Sequence, residues 1–153
     1  MLHAARADIV TVTIERAAAD DLDAVIHLLE QQGLPPDCAR ELANTMVIAR
    51  AAGEVVGAAA LEPYADGAFL RSVVVAPALQ RRGVGGQLVE AALALASERG
   101  TSTVFLLTMN AAGYFRRFGF ERIARAEVPA SVRASVQFQS ACPDSAIAMR
   151  RVG

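Results

Sequence analysis

The sequence predicts a single mixed α/β domain, and three observations support that prediction. A chain of 153 residues is long enough for one domain with a substantial core. Hydrophobic residues make up 54% of it, which suits a compact globular protein and excludes a disordered one. Runs of strand-like composition alternate with helically periodic segments in the order β-α-α-β-β-β-α-β-α-β-β.

The first half of the chain predicts a strand, two helices and a hairpin. Residues 8–17 are rich in β-branched side chains and predict the first strand. Asp20 is placed to cap the next helix, which Gly33 ends. A short helix is expected from Asp37 to about Ala43. The runs "TMVIAR" and "VVGAAALEPY" then flank residues 52–54 and predict a hairpin.

The second half predicts four further strands and two main helices. The strand "AFLRSVVVA" stops at Pro77, and the apolar periodicity of Val84–Arg99 predicts a helix. The buried-type strand "TVFLL" precedes a helix over 110–118, which Gly119 closes. The strands "FERIAR" and "SAIAMRR" follow, with a short helix within 129–139 between them.

Composition excludes several classes of function. A net charge of −1 and a pI near 6.1 argue against a nucleic-acid binder, and no apolar run is long enough to span a membrane. Cys38 and Cys142 show no disulfide or metal-ligand spacing, which favours a cytoplasmic protein without a metal. All fifteen basic residues are arginines, which excludes a Walker lysine or a Schiff base. Residues 1–7 lack a signal-peptide pattern and are expected to form a flexible arm before a domain at 8–153.

The segment "QRRGVGG", residues 80–86, carries the clearest chemical signal. Its glycines let several backbone N–H groups converge, and the helix that begins near Val84 adds its unpaired N–H groups and positive dipole end. With the charges of Arg81 and Arg82, such a loop suits a diphosphate. It fails the dinucleotide pattern G-x-G-x-x-G because Leu88 occupies the third glycine position, and it matches Q/R-x-x-G-x-G/A.

Two further stretches place this loop in a family. "VVVAPALQRRGVGGQLV" and the later "AAGYFRRFGFE" resemble, in order, the coenzyme signature and following helix of the GCN5-related N-acetyltransferase superfamily. The resemblance implies a mostly antiparallel central sheet, splayed in the middle, with helices on both faces. It also implies acetyl-CoA as co-substrate, and no metal.

A narrower resemblance comes from "LEPYADGAFLRSVVVAP", "VFLLTMNAAGYFRRFGF" and "VPASVRASVQFQSACPDSAIAMRR". These runs are similar to the arsenic-resistance-associated N-acetyltransferases, which are similar in turn to the acetyltransferase domain of N-acetylglutamate synthases. The resemblance implies a small, glutamate-like amine as acceptor, such as phosphinothricin or arsinothricin. It leaves open a homodimer.

The resemblance also implies where the coenzyme binds. The strand carrying the valines splays from "TVFLL", its exposed backbone pairs with the pantetheine arm, and an N–H near Val75 faces the thioester carbonyl. Asn110 would hydrogen-bond that arm or cap its own helix. The coenzyme-binding residues expected on this basis are Val73, Val74, Val75, Gln80, Arg81, Arg82, Gly83, Val84, Gly85, Gly86, Asn110 and Phe115.

The acceptor end rests on two charged residues. Glu62, near a strand end, is either the general base or a solvated carboxylate. Arg71 lies two residues before Val73, so strand alternation predicts that its side chain shares a face with Val73 and Val75. There it would clamp a substrate carboxylate bidentately, or else pair at the surface with Glu62 or Asp66.

The general acid departs from the family pattern. Many relatives have a tyrosine four residues before the glycine of "GF", where it protonates the leaving thiolate, but here that position is Phe115. Tyr114 is adjacent, about 100° round the helix, as either the acid or a core residue. Arg116 and Arg117 are expected on a solvated face. The alternatives to a small-amine acetyltransferase are an enzyme for a protein N-terminus or antibiotic amine, and a non-catalytic coenzyme-A-binding regulatory domain.

Overall fold

The computed structural model describes residues 11–34, 36, 39–134 and 146–153. Several predictions concern other residues: the arm 1–7, the first part of the strand 8–17, Asp37 as a helix start, Cys38, Cys142 and the end of the helix within 129–139. These predictions lie outside the described residues.

The strands and helices agree with the predicted order. The strands are β1 (Thr13–Arg16), β2 (Met46–Ala51), β3 (Glu54–Tyr64), β4 (Gly67–Val75), β5 (Thr103–Thr108), β6 (Glu121–Ile123) and β7 (Ile147–Val152). The α-helices are α1 (Leu22–Gln31), α2 (Val84–Glu98), α3 (Ala112–Arg116) and α4 (Ala130–Arg133). The segment expected as a short helix before β2 forms 3₁₀ turns over Arg40–Thr45, so β2 begins directly after it.

The seven strands form one open mixed sheet in the order β1-β2-β3-β4-β5-β7-β6. Every neighbouring pair is antiparallel except β4 and β5, which run parallel. The predicted hairpin connects β2 and β3, and its turn residues Ala52 (φ 51°) and Gly53 (φ 81°) are both left-handed, as a tight hairpin with the twist of its strands requires. The predicted fold class is confirmed.

Helices cover both faces of the sheet. On one face, α2 buries Leu88, Val89 and Ala92 against the sheet, and partly buried side chains of α3 join the same apolar cluster. On the opposite face, α1 packs Val25 and Leu29 over β2, β3 and the end of β4. The short helix α4 closes a third cluster around Phe69 and Phe105 on that same opposite face. The α1 face is therefore covered by two separate apolar clusters.

The parallel strands β4 and β5 separate soon after they meet. Their register pairs are Ala68 with Val104 and Phe69 with Phe105, although β4 continues to Val75 and β5 to Thr108. Beyond these pairs β4 is paired with β3, and β5 with β7. The far halves of the two strands therefore diverge and leave a gap in the sheet, as the splayed sheet predicted from the resemblance requires.

A β-bulge interrupts β4 at Ser72. Ala60 pairs with Arg71 and Ala58 with Val74, so Ser72 and Val73 together oppose Ala59. Ser72 has φ 58°, a left-handed conformation that is uncommon for a residue other than glycine. The extra residue reverses the facing of every side chain that follows it on β4.

Away from the gap, Asp21 ties the edge of the sheet to the start of α1. Its Oδ2 accepts the Ala18 N–H at 2.9 Å, and its Oδ1 accepts Arg50 Nη2 at 2.9 Å. Arg50 also donates from Nε to Glu15 at 3.3 Å. The hydrogen bond from Ala18 and the guanidinium of Arg50 hold the pKa of Asp21 below its usual value.

In the described ranges, no helix has both the length and the apolarity to cross a bilayer.

Candidate functional site

The glycine-rich loop forms a turn that opens the first amides of α2. Arg81 (φ 67°) and Gly83 (φ 82°) both adopt left-handed conformations, and Gly83 is the N-cap of α2. The first helical bond runs from Gln87 N–H to the Gly83 carbonyl at 3.1 Å, so the three N–H groups before it lack intrahelical partners. A Cβ built on Gly83 meets no atom within 4 Å. The loop therefore presents open space beside free amides.

Gln80 braces this loop against β4. Its Nε2 donates to the Val75 carbonyl at 3.0 Å and to Gln32 Oε1 of α1's C-cap at 3.4 Å. The side chain therefore holds the loop at a fixed distance from the end of the strand.

The backbone of Val75 faces the gap between β4 and β5. Ala76 N–H donates to the Val56 carbonyl of β3 at 2.8 Å, and Val75 is the register partner of Gly57. In an antiparallel pair this pattern marks Val75 and Gly57 as the non-hydrogen-bonded positions. The N–H of Val75 consequently points away from β3, into the gap, where the resemblance predicts a backbone donor.

The aromatic residues of α3 cover the first turn of α2. The Tyr114 hydroxyl lies 3.1 Å from where a Cβ on Gly85 would be, and the Phe118 ring lies 3.4 Å from a Cβ on Gly86. These glycines let the two helices approach closely. Burial raises the pKa of Tyr114 above its ordinary value, so its hydroxyl stays protonated at neutral pH and can donate a hydrogen bond.

The other two α3 candidates are placed differently. Phe115 packs edge-on against Phe120, with ring centroids 5.9 Å apart, and joins the α2-face cluster. Asn110 is exposed. The N-cap of α3 is Ala111, and no side chain makes a capping hydrogen bond there; the alternative expectation that Asn110 caps this helix is therefore wrong. Thr108 Oγ1 accepts the Ala111 N–H at 3.0 Å and so fixes the turn between β5 and α3.

A cavity of about 290 Å³ joins these elements. Its lining combines the end of β4, the loop, the first turn of α2 and the outer side of α3. The lining residues are Val75, Gln80, Arg81, Gly83, Gly85, Gly86, Tyr114 and Arg117. Arg117 lies over the Tyr114 ring, with its Cζ 5.2 Å from the ring centroid. Arg82 points elsewhere and lines a different cavity with Val12 and Gln87.

Arg71 and Glu62 form a buried pair on the α1 face of the sheet. The Arg71 Nη1 lies 3.7 Å from Glu62 Oε1, and their side chains are 1% and 15% exposed. Glu62 Oε1 is buried and accepts no hydrogen bond from the described part of the chain. Because Arg71 and Glu62 lie across from Ala60 and Phe69 respectively, the pair occupies the seam between the two apolar clusters of that face.

Two expectations about Arg71 are corrected by this placement. It does not share a face with Val73 and Val75, because the bulge at Ser72 reverses the alternation and turns those valines toward α2. It is also not a surface arginine, since the residue is 2% exposed. Its partner is Glu62; Asp66 instead accepts a hydrogen bond from Ser131 Oγ at 3.3 Å.

No group of three or more His, Cys, Asp or Glu side chains arranged to hold a metal ion occurs within the described ranges. His27 is exposed on α1.

The fold and the glycine-rich site define a class of protein, and comparison with family models agrees with it. The model described as "Acetyltransferase (GNAT) domain" matches residues 43–122, more than half of the chain. That range begins before β2, contains the loop and all of α2 and α3, and ends in β6. The chain belongs to the GNAT acetyltransferase domain family.

Curated relatives carry acetyltransferase names. An uncharacterized N-acetyltransferase of Chlorobaculum tepidum is 37% identical over 81 residues, which are 52% of this chain and 52% of the relative. An amino-acid acetyltransferase of Ectopseudomonas mendocina is 32% identical over 133 residues, which are 81% of this chain and 31% of the relative. The chain therefore spans only about half and about a third of these two relatives.

Solved structures share the fold. N-acetylglutamate synthase from Neisseria gonorrhoeae, complexed with coenzyme A and N-acetyl-glutamate, matches with a TM-score of 0.77 and 24% identity, over 93% of this chain and 35% of that one. The protein Rv2747 from Mycobacterium tuberculosis, in complex with CoA, matches with a TM-score of 0.79 and 24% identity, over 92% of this chain and 99% of that one. At these identities the likeness establishes the fold alone.

Proposed function

We propose that this chain transfers the acetyl group of acetyl-CoA to the amino group of a small amino-acid-like substrate, such as glutamate, phosphinothricin or arsinothricin. Membership of the GNAT family supports the reaction. The names of the amino-acid acetyltransferase and N-acetylglutamate synthase relatives support the acceptor class. The observation that carries the proposal is the Arg71–Glu62 pair, which sets a cation on β4 beside an anion on β3.

The site fits coenzyme A at one end. Free amides at the start of α2, beside open space at Gly83, suit the pyrophosphate. The gap between β4 and β5 gives the pantetheine arm a strand edge to pair with, from Val73 to Val75, and Asn110 follows the end of β5. Gln80 lines the loop cavity and also holds the loop in place through its hydrogen bond to the Val75 carbonyl.

The acceptor end suits a zwitterion. Arg71 offers a planar fork that matches a carboxylate, and Glu62 offers a carboxylate that attracts an ammonium group. A buried acid whose Oε1 accepts no hydrogen bond from the described residues is costly to maintain. An ammonium donor from the substrate would supply that bond, which is a physical reason for the site to prefer an amino acid over a neutral amine.

The chemistry requires a neutral amine and a stabilised thioester oxygen. When bound, acetyl-CoA supplies an acyl carbon that the amine attacks, so an N–C bond forms and the C–S bond breaks. Glu62 accepts a proton from the ammonium, directly or through water. The Val75 N–H donates to the carbonyl oxygen as that oxygen gains charge. The sulfur would leave as a thiolate, which a thiol pKa of about 8.5 makes tolerable. The second proton of the amine, released as the amide forms, would pass to that thiolate directly or through water.

Tyr114 is the candidate that would protonate the sulfur, since its raised pKa keeps it protonated. Its hydroxyl, however, lies against Gly85 at the phosphate end of the site. That placement favours a second candidate function, a regulatory domain that binds coenzyme A but does not catalyse acetyl transfer.

We further propose that residues 8–153 act as one cytoplasmic domain and that a homodimer can form.

Mass-spectrometric detection of acetylated product tests the proposal. Purified protein and acetyl-CoA would be incubated with glutamate, phosphinothricin, arsinothricin, other amino acids, an aminoglycoside and several peptides. Product with the glutamate analogues is expected. Product with the aminoglycoside or peptides alone would refute the acceptor, and coenzyme binding without any product would identify the regulatory domain.

A further inference from the structure

A second, larger cavity adjoins the first one. This larger cavity has a volume of about 650 Å³ and lies between the C-terminal half of α2, the start of β5, the end of β7 and the two residues that follow α3. Its polar lining includes Glu90, Ser97, Thr101, Ser102, Arg117 and Arg151. Arg117 also lines the 290 Å³ cavity beside the glycine-rich loop, so its side chain stands where the two cavities meet.

Arg117 is an exposed cation held in a defined place. Its guanidinium lies over the Tyr114 ring, 5.2 Å from the centroid, which orients it by a cation–π contact. The neighbouring Arg151 is anchored differently, because its Nε donates to the Phe118 carbonyl at 2.8 Å and thereby fixes the end of α3 to β7. Arg117 therefore lines both cavities, and its contact with the Tyr114 ring holds the guanidinium in place.

The charges around the two cavities favour a ligand with several anionic groups. Among the lining residues, Arg81, Arg117 and Arg151 are cationic and Glu90 is acidic. The amides at the start of α2 suit one phosphate group or a diphosphate. A further anion on the same ligand needs its own charged donor, and a guanidinium binds a phosphate monoester bidentately.

We propose that Arg117 binds the 3′-phosphate of coenzyme A, with the adenosine end of the coenzyme in the larger cavity. The inference rests on the proposed use of acetyl-CoA at the glycine-rich loop. The larger cavity has the size of ordinary small-ligand sites, about 300–1,000 Å³. Arg117 joins it to the loop cavity, so a ligand anchored at the loop can extend past Arg117 into it.

The test compares coenzyme A with 3′-dephospho-coenzyme A. Dissociation constants for both ligands would be measured by calorimetry with the wild type, Arg117→Gln and Arg116→Gln. Arg116 is the control, because it is the preceding exposed arginine and is absent from the lining of both cavities. The wild type and Arg116→Gln are expected to bind coenzyme A roughly 10-fold to 100-fold more tightly than the dephospho form, as for a charge-assisted hydrogen bond.

In Arg117→Gln that preference is expected to fall below about threefold, while binding of the dephospho form is nearly unchanged. Equal binding of the two ligands by the wild type would overturn the role of Arg117 and leave the proposed function intact. The same holds if Arg117→Gln keeps the wild-type preference or weakens both ligands equally, because loss of support for Tyr114 would act on both. Failure of the wild type to bind either ligand would overturn the coenzyme site itself.

Discussion

At the coenzyme end of the proposed site, the exposed residues 80–83 lead into the first backbone amides of α2, whereas at the acceptor end the charged side chains of Arg71 and Glu62 are only 1% and 15% exposed. The loop depends on backbone conformation, chiefly the left-handed turn at Gly83. The pair depends on which face of the sheet each side chain occupies, and the bulge at Ser72 decides that for Arg71.

This difference separates what the two ends can recognise. Backbone amides bind a phosphate group without reading the rest of the molecule. A buried cation and anion side by side select a ligand with complementary charges, because a ligand that leaves either one unmatched is penalised by desolvation. We therefore expect changes in the loop to affect the coenzyme, and changes in the pair to affect the acceptor.

The largest expected effect follows Gly83→Asp. A carboxylate at the N-cap would occupy the open space beside the free amides and repel a diphosphate, so coenzyme A affinity should fall more than about 100-fold (about 2.7 kcal/mol or more). Isothermal titration with coenzyme A measures the effect. Gly53→Asp is the matched control, since Gly53 has φ 81° and no atom within 4 Å of a built Cβ, but lies in the β2–β3 turn. Unchanged affinity in Gly83→Asp would refute the phosphate site.

A large effect is also expected for Glu62→Gln, on the rate rather than on coenzyme binding. The amide has nearly the same shape but cannot accept the ammonium proton, so kcat should fall roughly 100-fold or more. Coenzyme affinity should stay within about twofold, because Glu62 is not among the residues that line the loop cavity. Glu54→Gln, at the exposed first position of the same strand, should behave as the wild type. A wild-type kcat in Glu62→Gln would remove Glu62 as the base.

The smallest effect is expected in the scaffold, at Asp21. Asp21→Asn weakens the bonds to Ala18 and Arg50 and should lower the free energy of unfolding by about 1 kcal/mol at pH 7. The folded-state pKa of Asp21 is lowered, so its stabilisation is present above the unfolded pKa of about 3.9 and is lost as the pH falls through the folded value. Urea unfolding at pH 7 and pH 3 should therefore give a smaller difference at pH 3. The neighbouring Asp20→Asn is the control, and an equal loss in both variants would contradict the role of Asp21.

The same contrast explains what the sequence could predict. The loop was predictable because a left-handed position favours glycine, and the pattern places Gly83 there. Its second glycine, Gly85, is needed for the close approach of Tyr114. The apolar periodicity of Val84–Arg99 likewise predicted the helix α2. The mistaken facing has a local cause: Ser72 adopts φ 58°, and no residue type in the sequence indicates a bulge there. Simple alternation therefore placed Val73 and Val75 on the face of Arg71.

Long-range contacts account for the remaining differences. The turn between β5 and α3 is fixed by a hydrogen bond from the Ala111 N–H to Thr108 Oγ1, and Asn110 does not cap the helix. The sequence correctly predicted that Arg117 is exposed. It could not predict that Arg117 lies between two cavities, because that position depends on how α3 packs on α2. The spacing of Tyr114 and Arg117, three residues apart on a helix, was the one local sign of their contact.

The most direct test of a separate acceptor end is an initial-velocity analysis of Arg71→Lys, with the glutamate-like acceptor and acetyl-CoA varied in turn. Lysine keeps the charge beside Glu62 but loses the bidentate fork. We predict that the acceptor KM rises about 10-fold or more while the acetyl-CoA KM changes by less than about twofold. An equal rise in both KM values, with coenzyme affinity also weakened, would show that Arg71 supports the fold generally and would contradict a separate acceptor end.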